Sequence, residues 1–254
     1  MPRRTRKSGV APLRGLLPLA LLLVLWQVIG DSSSTFFPPP AAWFSQTWEL
    51  TSGGALVDGL LATLETFVIS LLAATVLGAV LGLLIGHVPL AERLLGPILE
   101  YFRFLPGVAL VPLAVLLVGY TESMKLYVVV FGALWPVLLQ VRQSAKSADV
   151  VLSDVASTLR LGKFAAFRKI HLPAIVPGLL LGVKIAAPLT LVLVLVVEIS
   201  TQVSGLGKLM ETAQQNFQSA QVYGLVVVVG LVALVINMLV SGIEGFLLRY
   251  RPQN

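Results

Sequence analysis

The chain has 254 residues, of which 57% are hydrophobic and 12% charged, and its mean hydropathy is +0.92. This balance excludes an ordinary soluble domain and identifies an integral membrane protein. With no cysteine there is no disulfide framework, zinc knuckle or thiol nucleophile, and the net charge of +6 fits basic cytoplasmic loops rather than nucleic-acid contacts.

The first apolar run, Leu13 to Ile29, follows Arg3, Arg4, Arg6 and Lys7. A charged head before an apolar stretch suits a secretory signal, but Gln27-Val-Ile-Gly30 is a poor cleavage site, so the run reads as a retained first helix. Within an extracytoplasmic stretch at 31–54, Asp31 to Pro40, with Ser32-Ser-Ser and Pro38-Pro-Pro, predicts an extended linker, because prolines fix φ and remove backbone donors. The second span, Leu60 to Ile85, carries Ala74, Gly78, Gly82 and Gly86 at intervals of four, a stripe that lets two helix backbones approach within lipid. The third and fourth runs, Leu105 to Val118 and Leu126 to Leu139, are short for a hydrocarbon core about 30 Å thick. The flanking Ile98 to Phe104 offers an extension.

The fifth run, Ile175 to Val197, opens with a second small-residue series, Gly178, Gly182 and Ala186, and the sixth runs from Val222 to Leu248. Pro112, Pro136 and Pro188 interrupt spans three to five and permit kinks. Six spans put both termini on one side. With the termini cytoplasmic, all Lys and Arg except Lys125, Lys208 and the intramembrane Lys184 lie inside, Arg103 and Arg142 among them. The predicted organisation is a basic N-terminus and first helix (1–30), the outer linker (31–54) and a transmembrane domain (55–250) with a cytoplasmic loop at 143–173.

Ionisable residues in apolar segments are functional candidates. Glu198 and Glu244 stand near span ends, within reach of interface water, and Lys184 can snorkel inward. Glu65 and Asn237 remain as inner-face positions, equally open to a structural or a functional role. Gly162-Lys163-Phe164 and Gly207-Lys208-Leu209 lack the spacing and the Ser/Thr of a nucleotide-binding P-loop, so no ATP hydrolysis is expected of this chain. His87 and His171 fall on separate loops without a carboxylate partner nearby in sequence, which gives no catalytic or metal site. These gaps weaken an enzyme reading and a secondary transporter driven by an ion gradient, the alternative to an ATP-driven system.

The loop after the fourth span breaks the apolar pattern. Val151, Leu152, Val155 and Leu159 trace one short helical face; after a break at Arg160 to Gly162, Phe164, Phe167 and Ile170 trace another, flanked by Lys163, Arg168 and Lys169. A basic amphipathic helix can lie on anionic lipid. Two short helices joined by a turn also form a knob suited to a groove on a partner protein. Pro173 is expected to end the loop and Pro177 to occupy the first turn of the fifth span.

This loop resembles the cytoplasmic signature of permease subunits of bacterial ABC importers, the binding-protein-dependent transport family. That signature reads Glu-Ala-Ala, three residues, Gly, nine residues, Ile, one residue, Leu-Pro. Here Asp154-Val155-Ala156, Ile170 and Leu172-Pro173 stand in register, Arg160 replaces the glycine, and Gly162 is available for a φ > 0 turn. Phe37-Pro38-Pro39-Pro40, Arg103-Phe-Leu-Pro106 with Ala109-Leu-Val-Pro-Leu113, and Ser204-Gly-Leu-Gly207 resemble the branch that imports taurine, alkanesulfonates and nitrate.

The resemblance implies an all-α bundle of the type I importer class with cytoplasmic coupling helices, in the bacterial inner membrane. It implies a homodimer surrounded by lipid, an ABC ATPase subunit below and a soluble substrate-binding protein above. No cofactor is expected in this chain, since ATP and magnesium would sit in the ATPase. The implied docking residues are Asp154, Val155, Ala156, Arg160, Leu161, Gly162, Lys163, Phe164, Phe167, Ile170, Leu172 and Pro173. The implied solute is a small organic or inorganic anion.

Overall fold

A computed structural model describes residues 13–32, 34–158 and 162–248, which are helical with no strand among them. The elements are α1 (Leu13–Ile29), α2 (Pro40–Ser52), α3 (Ala55–His87), α4 (Pro89–Phe102), a 3₁₀ turn (Gly107–Leu110), α5 (Val111–Val118), α6 (Glu122–Thr158), α7 (Lys163–Ala166), a π-helical turn (Phe167–His171), α8 (Leu172–Thr201), α9 (Leu206–Gln215) and α10 (Ser219–Leu248).

Among the described residues four helices are long and apolar enough to cross a membrane: Ala55–His87, Glu122–Ser147, Phe164–Thr201 and Ser219–Leu247. A fifth crossing forms if α4 and the Gly107–Val118 segment count as one span, broken by an 86° bend. The 17 residues of α1 are shorter. The apolar runs of the sequence thus each reappear as helix. The third one is reached through the flanking residues at 98–104, but by a sharp corner rather than a straight extension. Pro106 cannot donate a backbone hydrogen bond, and it stands immediately before the 3₁₀ turn that leads into α5.

The bundle centres on α6, which packs between α3 and α8. Small residues set these distances. A Cβ built on Gly78 would lie 2.9 Å from Val137 Cβ, and one on Gly82 would lie 2.7 Å from the Leu138 carbonyl oxygen. Gly182 approaches the Val137 backbone in the same way, and Gly178 sits against Ser144. Gly86 faces Ala145, and Ala74 is completely buried. Both small-residue stripes therefore meet α6 within one chain, and both reach Val137. Backbones this close gain dispersion contacts that lipid does not replace.

Two apolar clusters fill the bundle. One joins Phe67, Met124, Val128, Leu191, Val194 and Val197, and the other joins Val137, Val141, Ala145, Ile175 and Ala186. By contrast α10 presents Val227, Leu231, Leu234, Met238 and Phe246 outward, as a helix solvated by lipid or by another chain would.

The segment 31–40 differs from the expected extended linker. It folds back: the Asp31 N–H bonds the Phe37 carbonyl, and Phe37 stacks on Trp26 of α1 at 4.7 Å. Trp43 of α2 and Tyr223 of α10 complete an aromatic cluster, with Trp43 Nε1 donating to the Pro38 carbonyl at 3.0 Å. The three prolines stiffen a hairpin-like return, and Pro40 starts α2 at a helix position that needs no donor. Aromatic burial outweighs the extended preference of polyproline here.

Candidate functional site

The segment 143–173 is built differently from a free knob of two helices. Its first half, including Asp154, Val155 and Ala156, is the continuous C-terminal end of the 37-residue α6. Its second half is α7 and the π-helical turn, which run directly into α8. Arg160 and Leu161 lie outside the described residues. Gly162 does not adopt positive φ, contrary to the turn expected of it. Instead its carbonyl accepts the Ala166 N–H at 2.9 Å and starts α7, so its backbone is already entering helix. Lys163 opens α7, Phe164 is 78% exposed beside it, and Phe167 begins the π-helical turn. Ile170 is half-buried, and Leu172 and Pro173 form the first turn of α8. Pro173 thus takes the position assigned to Pro177, which lies inside the helix. A missing donor is tolerated at either place, but only the first turn leaves none of the helix's own bonds broken.

The same end of the bundle collects basic residues and their partners. Arg142 Nε donates to Glu92 at 2.9 Å, and Lys146 pairs with the same carboxylate, so α4 is clamped to α6. His87, at the end of α3, and His171, just before α8, meet edge to face with centroids 5.3 Å apart. The sequence places them 84 residues apart on separate loops; the end of α3 meeting the start of α8 brings them together. An aromatic contact is their visible role.

At the opposite end lies a buried polar knot that sequence reasoning missed. Glu198, expected near interface water, is fully buried, as is Lys125. Lys125 Nζ is 3.4 Å from Glu198 and 2.8 Å from Glu122, and it donates to the Ser204 carbonyl at 2.7 Å. Glu198 also accepts from Thr63 Oγ1 at 2.9 Å and from the Gly207 N–H at 3.0 Å. Thr63 Oγ1 in turn accepts the Leu206 N–H at 2.8 Å. Each buried charge is therefore paired and hydrogen-bonded, the condition under which such a pair is tolerated.

The segment Ser204-Gly-Leu-Gly207 makes this possible. Gly205 has φ 150°, and a Cβ there would collide with the Glu198 carboxylate. Glycine at 205 and 207 lets the backbone wrap the acid and presents an N–H to it. The signal in the sequence was Glu198 followed by this glycine pair, with Thr63 as an isolated hydroxyl among leucines.

The other intramembrane candidates also move. Lys184 does not snorkel alone; it pairs with Glu244 of α10 at 2.6 Å. Glu65 and Asn237 are exposed on the chain's surface rather than turned inward. No group of three or more His, Asp or Glu that could hold a metal occurs among the described residues.

This architecture has known counterparts. Residues 74–249 match the family described as binding-protein-dependent transport system inner membrane component. The chain belongs to that family. It is a permease subunit of the ABC importer class, from the branch that includes sulfonate and nitrate permeases.

Similar proteins include the putative aliphatic sulfonates transport permease protein SsuC of Bacillus subtilis, 28% identical over 94% of this chain and 88% of that protein. The nitrate import permease protein NrtB of Leptolyngbya laminosa is 27% identical over 96% of this chain and 95% of its own length. The bicarbonate transport system permease protein CmpB of Synechococcus elongatus is 27% identical over 97% and 98%. The permease also shares its fold with the MetNI methionine ABC transporter in an inward-facing conformation, at TM-score 0.62 and 18% identity, over 75% of this chain and 94% of that one.

Proposed function

We propose that this permease forms the translocation path of an ATP-driven importer for a small oxyanion, such as a sulfonate, nitrate or bicarbonate. Two copies form the path in the bacterial inner membrane. A binding protein delivers the solute from outside, and an ABC ATPase docks on residues 143–173 from the cytoplasm. The termini and the end bearing His87, Arg142, Lys146 and His171 face inward; the Glu198 knot faces outward. The basic bias of the sequence supports this orientation.

The observation that carries the coupling role is helical continuity. Residues 143–158 prolong α6, and residues 163–171 lead without a gap into α8. A push on the segment between them acts on two core helices at once. α3 and α8 each meet α6 through close small-residue contacts, and packed elements of this kind move as rigid bodies rather than deform. ATP hydrolysis belongs to the partner, since the permease lacks a P-loop.

Charge reversal of Arg160 and Lys163 to Glu is expected to abolish copurification with the ATPase and ATP-dependent uptake in proteoliposomes, while membrane insertion is retained. Unchanged copurification together with unchanged uptake would remove the docking assignment. Uptake driven by an ion gradient alone, without the ATPase, would remove the importer reading itself.

A further inference from the structure

A cavity of about 440 Å³ opens beside the corner between α4 and α5. It is walled by Arg103 to Gly107 at the corner, by Gly132 to Gln140 of α6, and by Ile185, Leu189 and Leu193 of α8. Its depth follows from helix geometry. At about 1.5 Å per residue, Gly132 and Gln140 stand roughly 15 and 27 Å along α6 from Glu122. Ile185 and Leu193 stand roughly 20 and 31 Å along α8 from Leu172 by the same rise. Both stretches fall in the middle of their spans. The helix walls of the cavity therefore reach mid-membrane, and Arg103 stands at its cytoplasmic rim, since its partner Glu100 also lies 3.9 Å from Arg142 at that end. The 86° bend turns the chain at this rim.

Most of the wall is aliphatic or aromatic, Arg103 is its one charged side chain, and no carboxylate lines it. The Arg103 guanidinium is partly exposed at this rim. Its present partners hold it weakly: Glu100 pairs with it at 2.9 Å one helical turn back, half exposed, and the Phe104 ring lies 4.7 Å beneath it. Such a pair contributes little, and the fork retains donors suited to two oxygens of one anion. Two neutral groups stand alongside. Gln140 lines the wall, and the Trp135 indole Nε1 is buried without an acceptor. An unpaired buried N–H calls for an explanation, and an oxyanion supplies the acceptor once the ring tips toward the cavity.

We propose that this cavity is an anion-selective station on the cytoplasmic half of the path, where Arg103 binds a small oxyanion and Gln140 and Trp135 add neutral donors. The inference rests on the importer reading above and adds the residues that would meet the solute. An oxyanion with a short apolar tail fits best, since the tail can lie on Leu139 and Leu189 while the oxygens face Arg103.

Because the permease has no cysteine, Leu139→Cys introduces its single thiol at the cavity wall. The full complex in membrane vesicles would be labelled with sulfonatoethyl methanethiosulfonate and, separately, with the trimethylammonium-ethyl analogue. After correction for reactivity with a free thiol, the anionic reagent is expected to react at least about tenfold faster, the scale of one unit charge roughly 10 Å away at an effective dielectric constant near 20. Arg103→Gln should bring the ratio close to one, and Arg103→Lys should preserve most of it.

No labelling, equal rates in the Leu139→Cys protein, or a bias that survives Arg103→Gln would each overturn the station. Should Arg103→Gln fail to fold, protection of the same thiol from a neutral reagent by nitrate and by methanesulfonate decides. Trp135→Phe is expected to weaken that protection severalfold, and absence of protection in the parent protein overturns the proposal. ATP-dependent uptake by the cysteine-free complex reports separately on the importer reading, so the station can fail while that reading stands.

Discussion

Glu198→Ala is expected to destabilise the solubilised permease by about 3–5 kcal/mol, the range found when one member of a buried ion pair is removed. The reason lies in what remains. Lys125 is fully buried and keeps only Glu122 and the Ser204 carbonyl. Thr63 loses its acceptor, and the Gly207 N–H loses its partner. Thermal unfolding followed by size-exclusion chromatography in detergent reads the loss directly. A double replacement by methionine at 125 and 198 should recover much of it, because two apolar side chains leave no stranded charge. A Glu198→Ala protein that melts with the wild type would show that the knot carries no stability.

The knot also bears on movement. It ties α3, α6, α8 and the start of α9 at one end, while the ATPase-docking segment proposed above joins α6 and α8 at the other. Force applied to the docking segment therefore meets a hydrogen-bonded anchor rather than loose chain. Rigid-body rotation about that anchor is the motion the arrangement favours.

The helices themselves were legible because each is a run of apolar residues bounded by polar or turn residues, and a membrane leaves such runs little alternative to helix. The glycine and alanine stripes were legible for a related reason: a period of four places Ala74, Gly78, Gly82 and Gly86 on one face whatever the partner helix is. Depth and pairing were less legible. The 86° corner after α4 was hidden, because sequence distance from an apolar run says nothing of a bend. Glu198 looked wet because it stands near a helix end, and only the wrapping of residues 204–207 over it excludes water. Lys184 and Glu244 are 60 residues apart, so their pairing depends on how α8 meets α10. The two apolar stripes of the 143–173 segment were readable, whereas the merger of its halves into α6 and α8 follows from long-range packing.

Gly82→Leu is expected to have the second large effect. A Cβ at this position already lies 2.7 Å from the Leu138 carbonyl oxygen and 2.9 Å from Val141 Cβ. The first obstacle is backbone, which cannot rotate aside as a side chain does, so α3 must withdraw from α6. Overpacking of this kind costs about 3 kcal/mol at the upper end of its usual range, and it falls on the contact that joins the two most intimately packed helices.

The loss should appear as a lower melting temperature and, since α6 carries the docking segment, as reduced ATP-dependent uptake by the protein that remains folded. Gly242→Ala on α10 provides the contrast, because nothing lies within 4 Å of a Cβ there. Alanine is the better helix former by roughly 1 kcal/mol, so that variant should be neutral or slightly stabilised within the chain. Equal behaviour of the two variants would mean that the close approach of α3 and α6 is not what holds the bundle together.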